Sequence, residues 1–378
     1  MNKTRLGDIC TIIKGTKVEQ TEQDCNSIRY IQIEDLRSNE CIKYCEKKEH
    51  YVIANPRDII IAWDGANAGT VGFGLNGAIG STLAIIRLNE DDFDTRFIGM
   101  LLRSKFTYLR SNCTGATIPH INRRSLEEIR IPIMPLEKQK QIVKTLDAVS
   151  ELLSLRKQQL LKLDNLTKSI FYDMFGDLVT NEKGWNQIAL GEVGTFKNGI
   201  NYSRNKSGFS VRCLGVGDFK DLLYIKDVSH LPFIELPELP SQEYLLQNGD
   251  IVFVRSNGNK ELIGRCIEIF PGEEHVTFSG FCIRYRITVD CLTSHYLNYA
   301  LHVSSLKKKL LKDGRGCNIQ NINQQTLSAL SIPVPPIELQ NEFTMIATKI
   351  EDQKNLVQKS IQETQLLFDS LMSQYFDE

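Results

Sequence analysis

The chain has 378 residues, 42% of them hydrophobic and 24% charged, and a formal net charge of −1 at pH 7. That length suits two or three domains with real cores, and the composition excludes a disordered or low-complexity chain. The near-zero charge supplies no global basic field, so a nucleic-acid surface would have to be built from local charge.

Residues 1–135 read as one mixed domain of short strands. IIIAW (59–63), STLAIIRL (81–88) and IRIPI (129–133) are β-branched and apolar, with Gly and Asn turns between them. Apolar residues at helical spacing predict a helix over 95–111. A long helix follows over 136–176. Its apolar seam is Ile142, Leu146, Val149, Leu153, Arg156, Leu160, Leu163, Thr167, Ile170 and Met174, spaced 4-3 throughout. Residues 177–335 repeat the plan, with strands DIVFV (250–254), RCIEIF (265–270) and FCIRYRI (281–287) and a helix over 294–312. A last helix spans 336–378, with Phe343, Ile346, Ile350, Gln353, Val357, Ile361, Thr364, Phe368, Leu371 and Tyr375 as its seam, carrying one slip. Helices of ~40 residues reach ~60 Å, and a narrow seam that long needs a partner; the other repeat's helix is the obvious one.

The repetition is explicit. IRIPIMPLEKQKQIV (Ile129 to Val143) matches SIPVPPIELQNEFTM (Ser331 to Met345), pairing Pro132 with Pro333, Glu137 with Glu338 and Gln139 with Gln340. Upstream, RLGDICTIIKG from Arg5 aligns with ALGEVGTFKNG from Ala189, and Asp58-Ile59-Ile60 with Asp250-Ile251-Val252. Two copies are too few for a solenoid; this is tandem duplication of a domain with its connector. The expected class is α+β.

Several tempting motifs fail. GFGLNG (Gly72 to Gly77) fits a dinucleotide fingerprint, but strand-like AIGSTLAIIRL follows where a helix is required. It reads instead as a hairpin. Asp35 with Glu46, Lys47 and Lys48 reads as solvated charged turns rather than a nuclease centre. There is no Asn-Pro-Pro-aromatic run, no GxxxxGK[ST] loop and no Ser/His/Asp pattern, so no catalytic centre is expected. The ten cysteines contain no CxxC pair and no zinc spacing, so reduced thiols and no metal are expected. No apolar run suits a membrane span, and MNKTRLGDIC lacks a signal-peptide core; a cytoplasmic protein is expected.

Six polar loops, five of them with glycine, fall at corresponding places of the two repeats. The first repeat offers Lys14, Lys17, Trp63, Asn67, His120, Asn122, Arg123 and Arg124. The second offers Lys197, Asn198, Asn201, Arg204, Lys206, Arg255, Asn257, Asn259, Lys260, Arg265, Arg315, Asn318, Gln320 and Asn323. Arginine suits guanine, asparagine and glutamine suit adenine, and lysine suits phosphate. Together they point to a binding surface rich in base-reading side chains.

With LGDICTIIKG, DGANAGTVGFGLNGAIGSTLAIIRL, RSNGNKELIGR, the paired IPHINRRSLEEIRIPIMPLEKQKQIV and IQNINQQTLSALSIPVPPIELQNEF, and QQLLKLDNLTKSIFYDMFGD, the whole chain resembles the specificity subunits of type I restriction–modification enzymes. The resemblance implies two target recognition domains, each reading half of a bipartite DNA site. It implies that the two long helices form an antiparallel coiled coil with approximate twofold symmetry. Two modification subunits would bring S-adenosylmethionine and methylate adenine, and restriction subunits would bring ATP- and Mg-dependent translocation and cleavage. This chain would bind no cofactor itself. Two other readings stay open: a DNA-binding adaptor of the same fold in another defence complex, and a coiled-coil scaffold for proteins.

Overall fold

The computed structural model describes residues 2–38, 40–89, 91–115, 117–202, 208–219, 223–303, 305–306 and 321–376, with Lys260 described by its backbone alone. They form two compact units, Met1–Gln159 with Val357–Glu378, and Leu160–Leu356.

The first unit is built on a four-stranded sheet, Cys10–Lys14, Leu83–Leu88, Ile59–Ala62 and Val71–Phe73 in that order. All four residues of Ile59–Ala62 are buried, although strand side chains alternate between faces. Both faces are covered. Ile59 and Ile61 pack with the helix Thr95–Ser104, through Phe97, Ile98, Leu101 and Leu102. Ile60 and Ala62 pack with Ile31, Leu36 and Ile79 under the second sheet. That sheet orders Lys43–Glu46, Ser27–Ile31, Gly77–Ile79 and Ile53–Ala54. The expected 95–111 helix is two helices, Thr95–Ser104 and Phe106–Ser111. Lys105 leaves helical geometry at φ −88° and ψ 12°, and its N–H is shared between the Leu101 and Leu102 carbonyls.

GFGLNG is not a hairpin. The strands flanking it, Val71–Phe73 and Gly77–Ile79, belong to different sheets. Gly74 and Gly77, both at positive φ, turn the chain from one to the other. Asp35 is no solvated turn either. It is buried, accepts from the Gln32 N–H at 2.7 Å and pairs with Arg29.

The second unit repeats the architecture on a five-stranded sheet. Its order is Gly194–Asn198, Cys282–Ile287, Asp250–Val254, Cys266–Ile269 and Tyr224–Ile225. Ile251 and Phe253 face the cluster of Tyr285, Tyr296 and Leu297, while Val252 and Val254 face Leu214, Val276 and Phe278. A three-stranded sheet of Phe233–Leu236, Phe209–Leu214 and Val276–Phe278 covers that second face. The described helix runs Ser294–His302; residue 304 and residues 307–312 of the expected helix lie outside the described residues.

The repeated sequence signals have repeated causes. Asp58 accepts a fork from Arg87 (2.8 and 2.7 Å) and Asp250 the same fork from Arg286 (2.8 and 2.7 Å). A side chain at Gly15 would meet the Gly80 carbonyl at 2.2 Å, and one at Gly199 the Ser279 carbonyl at 2.1 Å, so only glycine fits. Gln139 and Gln340 are fully buried clasps. Gln139 accepts from the Asp94 N–H and donates to the Asp92 and Met134 carbonyls. Gln340 accepts from the Thr293 N–H and donates to the Cys291 and Pro335 carbonyls. Gln340→Leu leaves the partly buried Thr293 N–H and the Cys291 and Pro335 carbonyls without this partner. It should cost about 3 kcal/mol, at roughly 1–3 kcal/mol per unsatisfied group. Denaturant unfolding measures this; a cost below about 1 kcal/mol would mean that the clasp is not needed.

The long helices are Leu136–Phe175 and Ile337–Phe376, 40 residues each. Pro135 and Pro336 stand just before them, where the missing N–H is harmless. In the first unit, Ile142, Val143 and Leu146 pack with Phe368, Leu371, Tyr375 and Phe376. Further along, the Arg156 guanidinium donates to the Ser360 carbonyl and the Thr364 hydroxyl. In the second unit, Phe343 packs against Phe171 and Phe175, with ring centroids 5.1 and 5.5 Å apart, and Lys354 pairs with Asp164 at 2.7 Å. Numbers rise along one helix as they fall along the other, so the pairing is antiparallel.

One seam assignment needs correction. Gln353 is exposed, while Lys354 is partly buried and Ala347 is 1% exposed. The second seam therefore runs 343-347-350-354-357-361-364-368-371-375, without the slip. Ile346 lies beside it and is partly buried. Alanine and lysine hid the register: one is too small to mark a seam, and the other buries its stem while its ammonium stays paired. Burial works against the Lys354 charge, but hydrogen bonds to Asp164 and Glu351 outweigh it and raise the pKa.

Candidate nucleic-acid interface

In each repeat the central strand ends in a polar loop, and a second segment is fastened to it by the backbone. In the first, Trp63 N–H donates to the Thr82 carbonyl (2.8 Å), and Ile121 N–H donates to the Trp63 carbonyl (2.9 Å). In the second, Arg255 N–H donates to the Phe281 carbonyl (2.8 Å), and Ile322 N–H to the Arg255 carbonyl (2.9 Å). The same backbone bonds thus hold corresponding loops, while the side chains differ.

The first cluster brings together Lys14, Trp63 and His120. Asp64 organises it, accepting from Lys14 Nζ at 2.9 Å and lying 2.6 Å from His120 Nδ1. Burial disfavours the Asp64 charge, but the His120 and Lys14 contacts outweigh it and hold the carboxyl below its ordinary pKa. Lys14 and His120 are about half exposed, so their outer faces reach solvent. Asn67 accepts from Arg37 at 3.0 Å, and Arg110 braces the loop through the Gly65 carbonyl at 3.2 Å. Arg37 and Arg103 line a pocket beside Gly69 and Thr70. Lys17 is exposed.

Other expected residues have local work. Asn122 and Asn323 cap short helices, accepting from Ser125 N–H at 3.2 Å and Thr326 N–H at 2.8 Å. Arg123 pairs with Glu127 (2.8 Å) and Arg124 with Glu128 (2.9 Å); both pairs are solvent-facing and weak enough to open. Lys197 turns to Glu243 at 2.7 Å, which raises its pKa, and lies over the Tyr244 ring. The Asn257 and Asn259 side-chain carbonyls accept from the N–H groups of Asn259 and Glu261, shaping the loop. Arg255 forms no ion pair among the described residues, not even with neighbouring Glu261, and is partly exposed; Arg265 is partly buried. Asn198 and Asn201 are exposed. Arg204, Lys206, Arg315, Asn318, Gln320 and the Lys260 side chain lie outside the described residues.

The model of the type I restriction modification DNA specificity domain matches residues 1–165 and again 182–365. The chain belongs to that family. It is similar to the MjaVIII type I restriction enzyme specificity subunit of Methanocaldococcus jannaschii, at 28% identity over 94% of this chain and 86% of that one. A crystal structure of the type I S subunit from M. genitalium shares the fold at TM-score 0.59 and 17% identity, covering 99% of this chain and 96% of that one. A chain from a structure on assembly and conformational transition of the type I R–M system matches at TM-score 0.62 and 19% identity, covering 99% and 97%. Each repeat is thus one DNA specificity domain, and the chain is a DNA specificity subunit of a type I restriction–modification system.

The sequence does not single out Arg37, Asp64, Arg103 or Phe281, which the fold places beside these loops. Asp64 was visible within AWDGANAG. Phe281 falls in the expected strand 281–287, but the strand begins at Cys282. Among the described residues, no group of three or more His, Cys, Asp or Glu could hold a metal, and no helix is long and apolar enough to cross a membrane.

Proposed function

We propose that the chain reads a bipartite DNA target, one half-site per repeat, and holds the two readings at a set spacing. The support is the pair of backbone-equivalent loop clusters carrying different side chains, Lys14, Trp63 and His120 against Arg255, Asn257 and Asn259. Same frame with different chemistry fits two half-sites of different sequence. The long helices would act as the spacer, with unread bases between. Two modification subunits, binding S-adenosylmethionine, would methylate an adenine flipped from the duplex. Restriction subunits would couple ATP and Mg to translocation and cleavage.

The test is a swap. Residues 1–135 are replaced by those of a relative with a known target, and methylation-aware sequencing reads the recognised site. One half-site should change and the other persist. If both change, or neither does, the modular reading is wrong.

A further inference from the structure

Resting on that reading of the second repeat, we propose that Phe281 recognises a thymine in its half-site, by apolar contact between the ring and the C5-methyl group. Phe281 is 60% exposed. Single exposed apolar residues are common on protein surfaces, and that alone would mean little. Its setting is what distinguishes it.

The ring is held outward by its neighbours. Phe278 and Cys282, on either side of the turn, are both fully buried. The turn is closed by Cys282 N–H to the Ser279 carbonyl (2.8 Å) and Gly280 N–H to the Ile200 carbonyl (2.8 Å). Phe281 N–H donates to Ser279 Oγ (3.3 Å), and its carbonyl accepts from Arg255 N–H (2.8 Å). Burying the ring would require these anchors to leave the core. Two polar side chains frame it. Arg255 is across the shared backbone bond, and Asn201 lies over Gly280, where an added Cβ would meet Asn201 Oδ1 at 2.0 Å. Among the described residues no ring or cation stacks on Phe281, whereas equally exposed Phe233 is covered by Arg212 at 4.4 Å.

The chemistry narrows the choice of base. A phenyl ring offers no donor or acceptor of the kind that reads base edges. The apolar element among the major-groove edges is the thymine methyl. The first repeat has Thr82 at the equivalent position, opposite Trp63, so the pair Arg255/Phe281 replaces Trp63/Thr82 on the same backbone frame. A position that varies between repeats while its backbone bond is kept is where half-site differences belong.

The experiment uses the full chain assembled with its modification subunits, and duplexes of the target found by methylation-aware sequencing. Each thymine of the second half-site is replaced in turn by uracil, which removes only the methyl. Wild type should lose about fourfold in affinity at one thymine, the worth of one buried methyl-sized group. Phe281→Ala should bind the thymine and uracil duplexes equally there, with an unchanged melting temperature and unchanged discrimination in the first half-site. Phe281→Leu should keep most of the preference. A second half-site without thymine, or a Phe281→Ala protein that still prefers thymine, would overturn the assignment. Equal binding of wild type to target and scrambled duplexes would instead remove the DNA-reading function itself.

Discussion

Phe343→Ala should lower the stability of the second unit by about 3–5 kcal/mol, the usual range for deleting a buried phenylalanine. Phe343 is fully buried, and Phe171, Phe175 and Tyr299 surround its ring at centroid distances of 5.1, 5.5 and 5.0 Å. Three rings facing one void cannot collapse into it without breaking their own packing. The contact is also where the start of the second long helix meets the end of the first. A loss of that size is a large share of the roughly 5–15 kcal/mol that stabilises an ordinary domain. Differential scanning calorimetry should show the transition of the second unit moving down, separated from that of the first. A single unshifted transition would show that this ring cluster does not hold the helices together.

The second large effect concerns target spacing. One heptad inserted after Gln159 and one after Leu356 preserves the 4-3 seam and the antiparallel pairs on either side of each insertion. Seven residues add ~10 Å of helix, about three base pairs of duplex. The recognised spacer should lengthen by that amount while both half-sites persist. A heptad in the first helix alone should fail, because the Arg156–Thr364 and Lys354–Asp164 contacts can no longer form together. An active double-insertion protein with an unaltered spacer would sink the idea that helix length sets it.

Much of this fold was legible because the chain states it twice. Strands at 59–62, 250–254 and 282–287 were marked by β-branched runs, and both long helices by their proline corners and seams. What escaped notice depends on partners remote in sequence. Nothing local shows that Val71–Phe73 and Gly77–Ile79 join different sheets, since each finds its neighbours elsewhere in the chain. Asp35 resembles any surface acid until Arg29 is brought against it. The second seam turns on Ala347 and Lys354, which hydrophobic size does not mark and only the pairing of the helices reveals. At the interface, residue type suggested polar reading groups. It could not separate Asn122 and Asn323, which cap helices, from Lys14 and His120, which share Asp64.

The bonds that fix the reading loops have a consequence for the history of the chain. Ile121 to Trp63 and Ile322 to Arg255 are joined through amide and carbonyl groups that do not depend on side-chain identity. Substitutions at positions 63, 82, 255 and 281 that spare those amides leave the bonds in place. Under the proposed reading, base preference and the backbone frame are therefore carried by different groups at these positions. Selection could then change what the protein reads by small steps that keep the frame, so that two halves that began as copies drift to unrelated words.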